Sequence, residues 1–301
     1  TKTPSDLIQS GGFGITIDSG GNYYITNDNW STVSTGLISG NPTLRSVAYW
    51  NTNNIVVVGS SNTIYTTIDN GANWVDYSPD TNYGNIYDLV YKTVHPKLGY
   101  YYACTSTGHV IKSQTNGQTW TETLVGTDLR AVDFLDSIRG VTANVDGKIY
   151  LTADGISYTE IADVGYQVND IKYIDPNTII TVGVNFISKI KIVHPLEILP
   201  TTEDLIIVPA PDGKVPSGSG EILVITVTDS TIAVMDTFNK LFIYDLNRMY
   251  VVGNTGTIMK SLDGGDSWSN IIVSDVYNYN GLTILSSTEM IVATSNKQLV
   301  R

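Results

Sequence analysis

The polar chemistry open to this chain is narrow. Its arginines are Arg45, Arg130, Arg139, Arg248 and Arg301, alongside three histidines and one cysteine. Arg45 and Arg130 stand second in matching frames, Leu44-Arg45-Ser46-Val47-Ala48-Tyr49 and Leu129-Arg130-Ala131-Val132-Asp133-Phe134. Guanidinium groups in equivalent frames can converge on an anionic or polar ligand through forked N–H donors, which makes these two the candidate binding residues. A repeated packing or ion-pair position is the other reading of the same placement. His95, His109 and His194 lack metal-ligand spacing, and His95-Pro96 and His194-Pro195 read as turns. Cys104, within Tyr100-Tyr101-Tyr102-Ala103-Cys104-Thr105, reads as a small core residue. No phosphate-binding loop, dinucleotide fingerprint, nucleophile elbow or zinc spacing occurs, so no catalytic residue, metal or cofactor is expected.

The elements that would position Arg45 and Arg130 are set by a recurring phrase. Thr67-Ile68-Asp69-Asn70-Gly71-Ala72-Asn73-Trp74 and Ser261-Leu262-Asp263-Gly264-Gly265-Asp266-Ser267-Trp268 are full copies. Ser113-Gln114-Thr115-Asn116-Gly117-Gln118-Thr119-Trp120 carries Thr for Asp, and Thr152-Ala153-Asp154-Gly155-Ile156-Ser157-Tyr158 is one residue short with Tyr for Trp. Thr26-Asn27-Asp28-Asn29-Trp30 reads as a worn fifth copy. Each position has a physical job. The Asp accepts N–H bonds from its own turn, the Gly supplies positive φ, the hydroxyl or amide before the aromatic closes the turn, and the aromatic buries its ring against a sheet.

This phrase resembles the Asp-box, or BNR repeat, of β-propellers such as sialidases, sortilin-type receptor domains and photosystem II assembly-factor propellers. The resemblance implies outer-rim corners, and hence a structural rather than catalytic role for Asp69, Gly71, Trp74, Gly117, Trp120, Asp154, Asp263, Gly265 and Trp268. For sialidases it implies three arginines on the substrate carboxylate, a Tyr nucleophile with a Glu partner and an acidic acid/base. The Arg-Ile-Pro phrase of that family is absent here, and Glu is scarce in the strands expected to face a channel. For the photosystem II assembly propellers it implies docking through a basic channel face.

Composition favours strands and turns over helices, with 27 Gly, 19 Tyr and β-branched residues crowding the apolar runs. A net charge of -12 argues against nucleic-acid or anionic-membrane partners, since no Lys/Arg excess is available to displace counterions. No apolar run approaches the ~20 residues of a membrane span. Thr1 to Ser10 has no apolar core of a signal peptide.

Opening strands begin at Leu44, Ile86, Leu129 and Val168, close to the ~40 to 45 residue period of four-stranded propeller blades. The expectation is an all-β, single-domain β-propeller over residues 1–301, of four-stranded antiparallel blades, about seven in number with six or eight as alternatives. Residues 1–13 are expected as an N-terminal arm and 209–220 as a Pro/Gly-rich loop. Two blades without the phrase are expected between Tyr158 and Trp268. The N- and C-terminal strands should close the ring, with Trp30 to Ser34 completing the last sheet, because an open ring leaves edges unpaired.

The function expected is a non-catalytic scaffold that contacts other proteins. The Thr-, Asn- and Tyr-rich, Lys-poor composition resembles a bacteriophage virion or tail component or a bacterial surface module, which implies a virion or extracellular setting and leaves the oligomeric state open. A glycan-binding or sialidase-like glycoside-hydrolysing propeller is the alternative.

Overall fold

The computed structural model describes residues 4–95, 98–193, 223–228, 236–271, 276–286, 289–296 and 299–300. The chain winds into consecutive antiparallel meanders. The first holds β1 (Pro4–Ser10), β2 (Phe13–Asp18), β3 (Asn22–Thr26) and β4 (Ser34–Leu37). The second holds β5 (Leu44–Tyr49), β6 (Ile55–Gly59), β7 (Ile64–Thr67) and β8 (Val75–Asp76). The third holds β9 (Ile86–His95), β10 (Leu98–Thr105), β11 (His109–Ser113) and β12 (Thr121–Leu124). The fourth holds β13 (Leu129–Phe134), β14 (Gly140–Asn144), β15 (Lys148–Thr152) and β16 (Thr159–Asp163). The fifth holds β17 (Val168–Asp175), β18 (Thr178–Gly183), β19 (Phe186–Val193) and β20 (Leu223–Thr228). The sixth holds β21 (Phe238–Ile243), β22 (Met249–Gly253), β23 (Ile258–Ser261) and β24 (Ser269–Ile271), and β25 (Tyr279–Ser286), β26 (Glu289–Thr294) and β27 (Leu299–Val300) form a three-stranded sheet.

Each first strand packs against the first strand of the next sheet, from β1 through β5, β9, β13, β17 and β21 to β25 and back to β1. That cycle makes the fold a β-propeller. The second strands carry the densest apolar runs because neighbouring sheets cover both their faces: Ile55–Gly59 and Thr178–Gly183 are buried at every position. Outer strands such as Ser34–Leu37 and Thr121–Leu124 are largely exposed. The core is accordingly a set of clusters in the joints between sheets.

Four-stranded blades number six, not about seven; the remaining sheet has three strands among the described residues. Among the described residues the interval from Tyr158 to Trp268 holds one blade rather than two, because β19 ends at Val193 and β20 begins only at Leu223. The Pro/Gly-rich loop expected at 209–220 lies outside the described residues. Pro4–Ser10 is an innermost strand rather than part of an arm, since Leu7 buries against Ile291 and Ala293. Residues 34–37 pair with β3 and do not complete the last sheet. Closure comes instead from β1 packing on β25, where Gly281 lets the strands approach: a Cβ at Gly281 would sit 2.8 Å from that of Leu7.

Candidate binding site at the channel mouth

The first strand of every sheet breaks its ladder at its second residue. Pairing skips Ser5, Arg45, Tyr87, Arg130, Asn169, Asn239 and Asn280, each flanked by paired neighbours. A bulge frees one residue from the pleat and re-aims its side chain. Repeated around the axis, it turns these seven side chains onto one end of the channel. They line a cavity of about 550 Å³ together with Ser19, Thr43, Gln167 and Thr237, with Asp88 and Lys240 deeper in.

Arg45 and Arg130 are brought together there, with Tyr87 between them. The Arg45 guanidinium carbon lies 4.9 Å from the Tyr87 ring centroid and that of Arg130 lies 4.1 Å from it. Two cations on one aromatic ring are pre-ordered side chains. Arg130 Nη2 donates to Asp128 Oδ2 at 2.7 Å, whereas Arg45 Nε donates to the neutral Ser60 Oγ at 2.9 Å. Arg45 thus keeps donors on its fork without a carboxylate among the described residues. The opposite arc is neutral. Asn169 Nδ2 donates to the Phe238 carbonyl at 2.8 Å, and Asn239 Nδ2 to the Tyr279 carbonyl at 2.9 Å, which ties each blade to the next.

Below the mouth the channel narrows to a charged waist that the sequence reading missed. Asp6, Asp88, Asp133 and Asp170 are buried, and Lys92, Lys172 and Lys240 face them. Lys240 reaches Asp6 at 3.2 Å and Asp88 at 3.7 Å, while Lys92 meets Asp133 at 2.9 Å and Lys172 meets Asp170 at 3.1 Å. Each carboxylate also accepts a backbone N–H from the following blade: Asp6 from Val47, Asp88 from Val132, Asp133 from Tyr173 and Asp170 from Leu241. Ser46 Oγ does the same for the Leu89 N–H at 3.1 Å. Burial works against charge on Lys240, but Asp6, then Asp170 and Asp88, hold it protonated well above the usual range. Burial pushes Asp170 upward even against Lys172, while at Asp88 the opposing pull of Lys240 and Lys172 wins and lowers it. Part of the signal for this belt was present in the register: in five of the seven opening frames the third residue is polar, Asp6, Ser46, Asp88, Asp170 and Lys240, the other two being Ala131 and Gly281.

The recurring phrase folds as the corner between third and fourth strands, at the far end of the blades from the mouth. Asp69 Oδ1 accepts from Thr67 Oγ1 at 2.7 Å and the Asn73 N–H at 2.8 Å. Asp263 accepts from Ser261 Oγ, the Ser267 N–H and the Ser267 hydroxyl. Asp154 takes the Ile156 and Ser157 N–H groups at 2.8 and 2.7 Å. Gly71, Gly117, Gly155 and Gly265 all have positive φ. The aromatics fill joints with the preceding blade: Trp74 joins the cluster of Ile25 and Ile55, Trp120 that of Val56 and Ile111, and Trp268 that of Ile180 and Met249. In the worn copy Trp30 takes the glycine slot, at φ 66°, and packs beside Leu7 and Ile291 at the ring closure.

Of the remaining arginines, Arg139 pairs with Asp136 and Arg248 with Asp245 in turns at the opposite end from the mouth, and Arg301 lies outside the described residues. Among the described residues the mouth therefore gathers two arginines rather than three. Its lining carboxylate, Asp88, is engaged by the Leu89 and Val132 N–H groups and Ser46 Oγ. Cys104 is fully buried, and burial pushes its thiol up. Among the described residues no group of three or more His, Cys, Asp or Glu side chains could hold a metal, and no helix is long and apolar enough to cross a membrane.

Fold and site together define a β-propeller with a polar, arginine-bearing mouth. No protein-family model and no curated protein sequence matches the chain. Solved structures do. YCF48 from Cyanidioschyzon merolae superposes with a TM-score of 0.67 at 15% identity, covering 99% of this chain and 94% of that one. A structure described as YCF48 bound to D1 peptide gives a TM-score of 0.70 at 15% identity, covering 99% and 92%. The WD40 β-propeller domain of Doa1 gives 0.69 at 11% identity, covering 99% and 91%. At such identities the likeness is one of fold.

Proposed function

We propose that this protein is a non-catalytic propeller that binds a segment of another protein at the mouth bearing Arg45, Tyr87 and Arg130, and that the bound segment presents an acidic side chain. The observation that carries this reading is the bulged ring with its paired guanidiniums on Tyr87, one of them without a carboxylate partner among the described residues. A cavity of about 550 Å³ suits a few residues of an extended segment and is large for a single small anion. Support by analogy of fold comes from the YCF48 structure described with a bound peptide. The corners act as fasteners of the Asp-box kind on this reading, and the composition suits a virion or cell-surface setting.

The test is a binding assay with dansylated hexapeptides carrying one Asp or Glu among uncharged residues, against their Asn or Gln counterparts. The acidic peptides bind, and Arg45→Gln weakens them by about tenfold, the worth of one charged hydrogen bond. Equal binding of acidic and amide peptides, or binding indifferent to both Arg45→Gln and Arg130→Gln, would sink the proposal. Glycoside hydrolysis abolished by either substitution would replace it with the enzymatic alternative.

A further inference from the structure

The waist divides the channel into two cups, and the far one differs in chemistry from the mouth. It encloses about 390 Å³, within the range of small-ligand cavities. Ile8, Ala48, Val90 and Phe242 line one part of it and Lys92 and Lys172 another, with the ion-paired Asp6, Asp88, Asp133 and Lys240 also in its wall. The ion pairs of the waist are lopsided in exposure. The Lys92 side chain is 29% exposed against 5% for Asp133, and Lys172 20% against 1% for Asp170. Asp133 and Asp170 each accept a backbone N–H, and the more exposed partner of each pair is the ammonium. Each ammonium has three donors and spends one on its aspartate. The rim continues the apolar part: Trp50 and Tyr244 adjoin the lining residues Tyr49 and Ile243 and are 40% and 39% exposed.

We infer that the far cup is a second binding site, for an aliphatic carboxylate. The hydrocarbon body lies against Ile8, Ala48, Val90 and Phe242, and the carboxylate accepts from the Lys92 and Lys172 ammonium groups. The site is independent of the arginine mouth, because the ion-paired waist of Asp6, Asp88 and Lys240 stands between them. A fatty acid and a chain terminus ending in apolar residues share this chemistry.

The experiment titrates the whole protein with hexanoate, octanoate and decanoate, below their aggregation thresholds, by calorimetry and by amide chemical-shift mapping. One equivalent binds, tightening about fourfold per added methylene until the cup is full, with shifts centred on Ala48, Val90 and Phe242. Decylamine does not compete. Lys92→Gln weakens decanoate about tenfold, Val90→Trp blocks it by filling the cup, and Arg45→Gln leaves it unchanged. Acetyl-trileucine as free acid, compared with its amide, tests the chain-terminus source, and binding of either carboxylate class at these residues supports the inference. Absence of saturable binding by both, competition by decylamine, or shifts confined to Arg45 and Tyr87 would overturn it, and the wild-type mapping decides even where Val90→Trp fails to fold.

Discussion

Asp263 shows how much one side chain can organise. Its oxygens take the Ser267 hydroxyl and N–H and the Ser261 hydroxyl, and the bonds from Ser267 chiefly hold its pKa down to about 2. Because the folded value lies below that of a free aspartate, the ionised group stabilises the corner above the ordinary aspartate range of about pH 4. That contribution is lost as pH falls through the folded value near 2. Urea midpoints measured from pH 5 to pH 2 should therefore fall less in Asp263→Asn than in the wild type; parallel curves would remove the corner aspartate from the acid response. The role of Asp263 in its turn was legible because it is local, reaching no further than four residues along the chain. The meeting of Tyr87 with two arginines was not legible. It depends on Arg45 and Arg130, which belong to the neighbouring blades on either side.

At the scale of the element, the corner and the bulge illustrate two kinds of sequence signal. The corner glycine does more than supply positive φ: a Cβ on Gly117 would lie 2.8 Å from Thr66 Oγ1 and 2.9 Å from Val56 in the preceding blade. Gly265 stands likewise against Ile180. Gly117→Ala should cost more than about 1 kcal/mol, since backbone strain and overpacking add, and its urea midpoint should fall without a change in slope. An unaltered midpoint would mean the joint has slack. The bulges were readable only in part. Leu44-Arg45-Ser46-Val47 and Val168-Asn169-Asp170-Ile171 break the alternation of a half-buried strand with two polar residues in a row. Period-two reasoning assigns one of each pair to the wrong face. The bulge instead sends the first to the mouth and the second to the waist. The fifth blade lacks the corner phrase altogether, and there Lys189 on β19 pairs with Asp266 of the next corner at 2.8 Å instead.

For the whole molecule the decisive contact is the seam between β1 and β25. Among the described residues no strand is shared across it, and Leu7, Ile291, Ala293 and Trp30 pack there with the close approach at Gly281. Gly281→Val should overpack that seam and cost about 2 kcal/mol, seen as a lower unfolding midpoint. A variant as stable as the wild type would show that closure tolerates a gap. Sequence alone settled what depends on neighbours along the chain: the strand grammar, the turn chemistry of the corners and the shared frame of Arg45 and Arg130, because each is governed by local sterics and hydrogen bonding. Tertiary structure alone decided the six four-stranded blades, the folding of residues 4–10 into the ring and the meeting of Tyr87 with two arginines. It also decided the pairing of Lys240 with Asp6 and Asp88. Those outcomes depend on residues far apart in sequence being placed about one axis, and the repeat sets only its spacing along the chain.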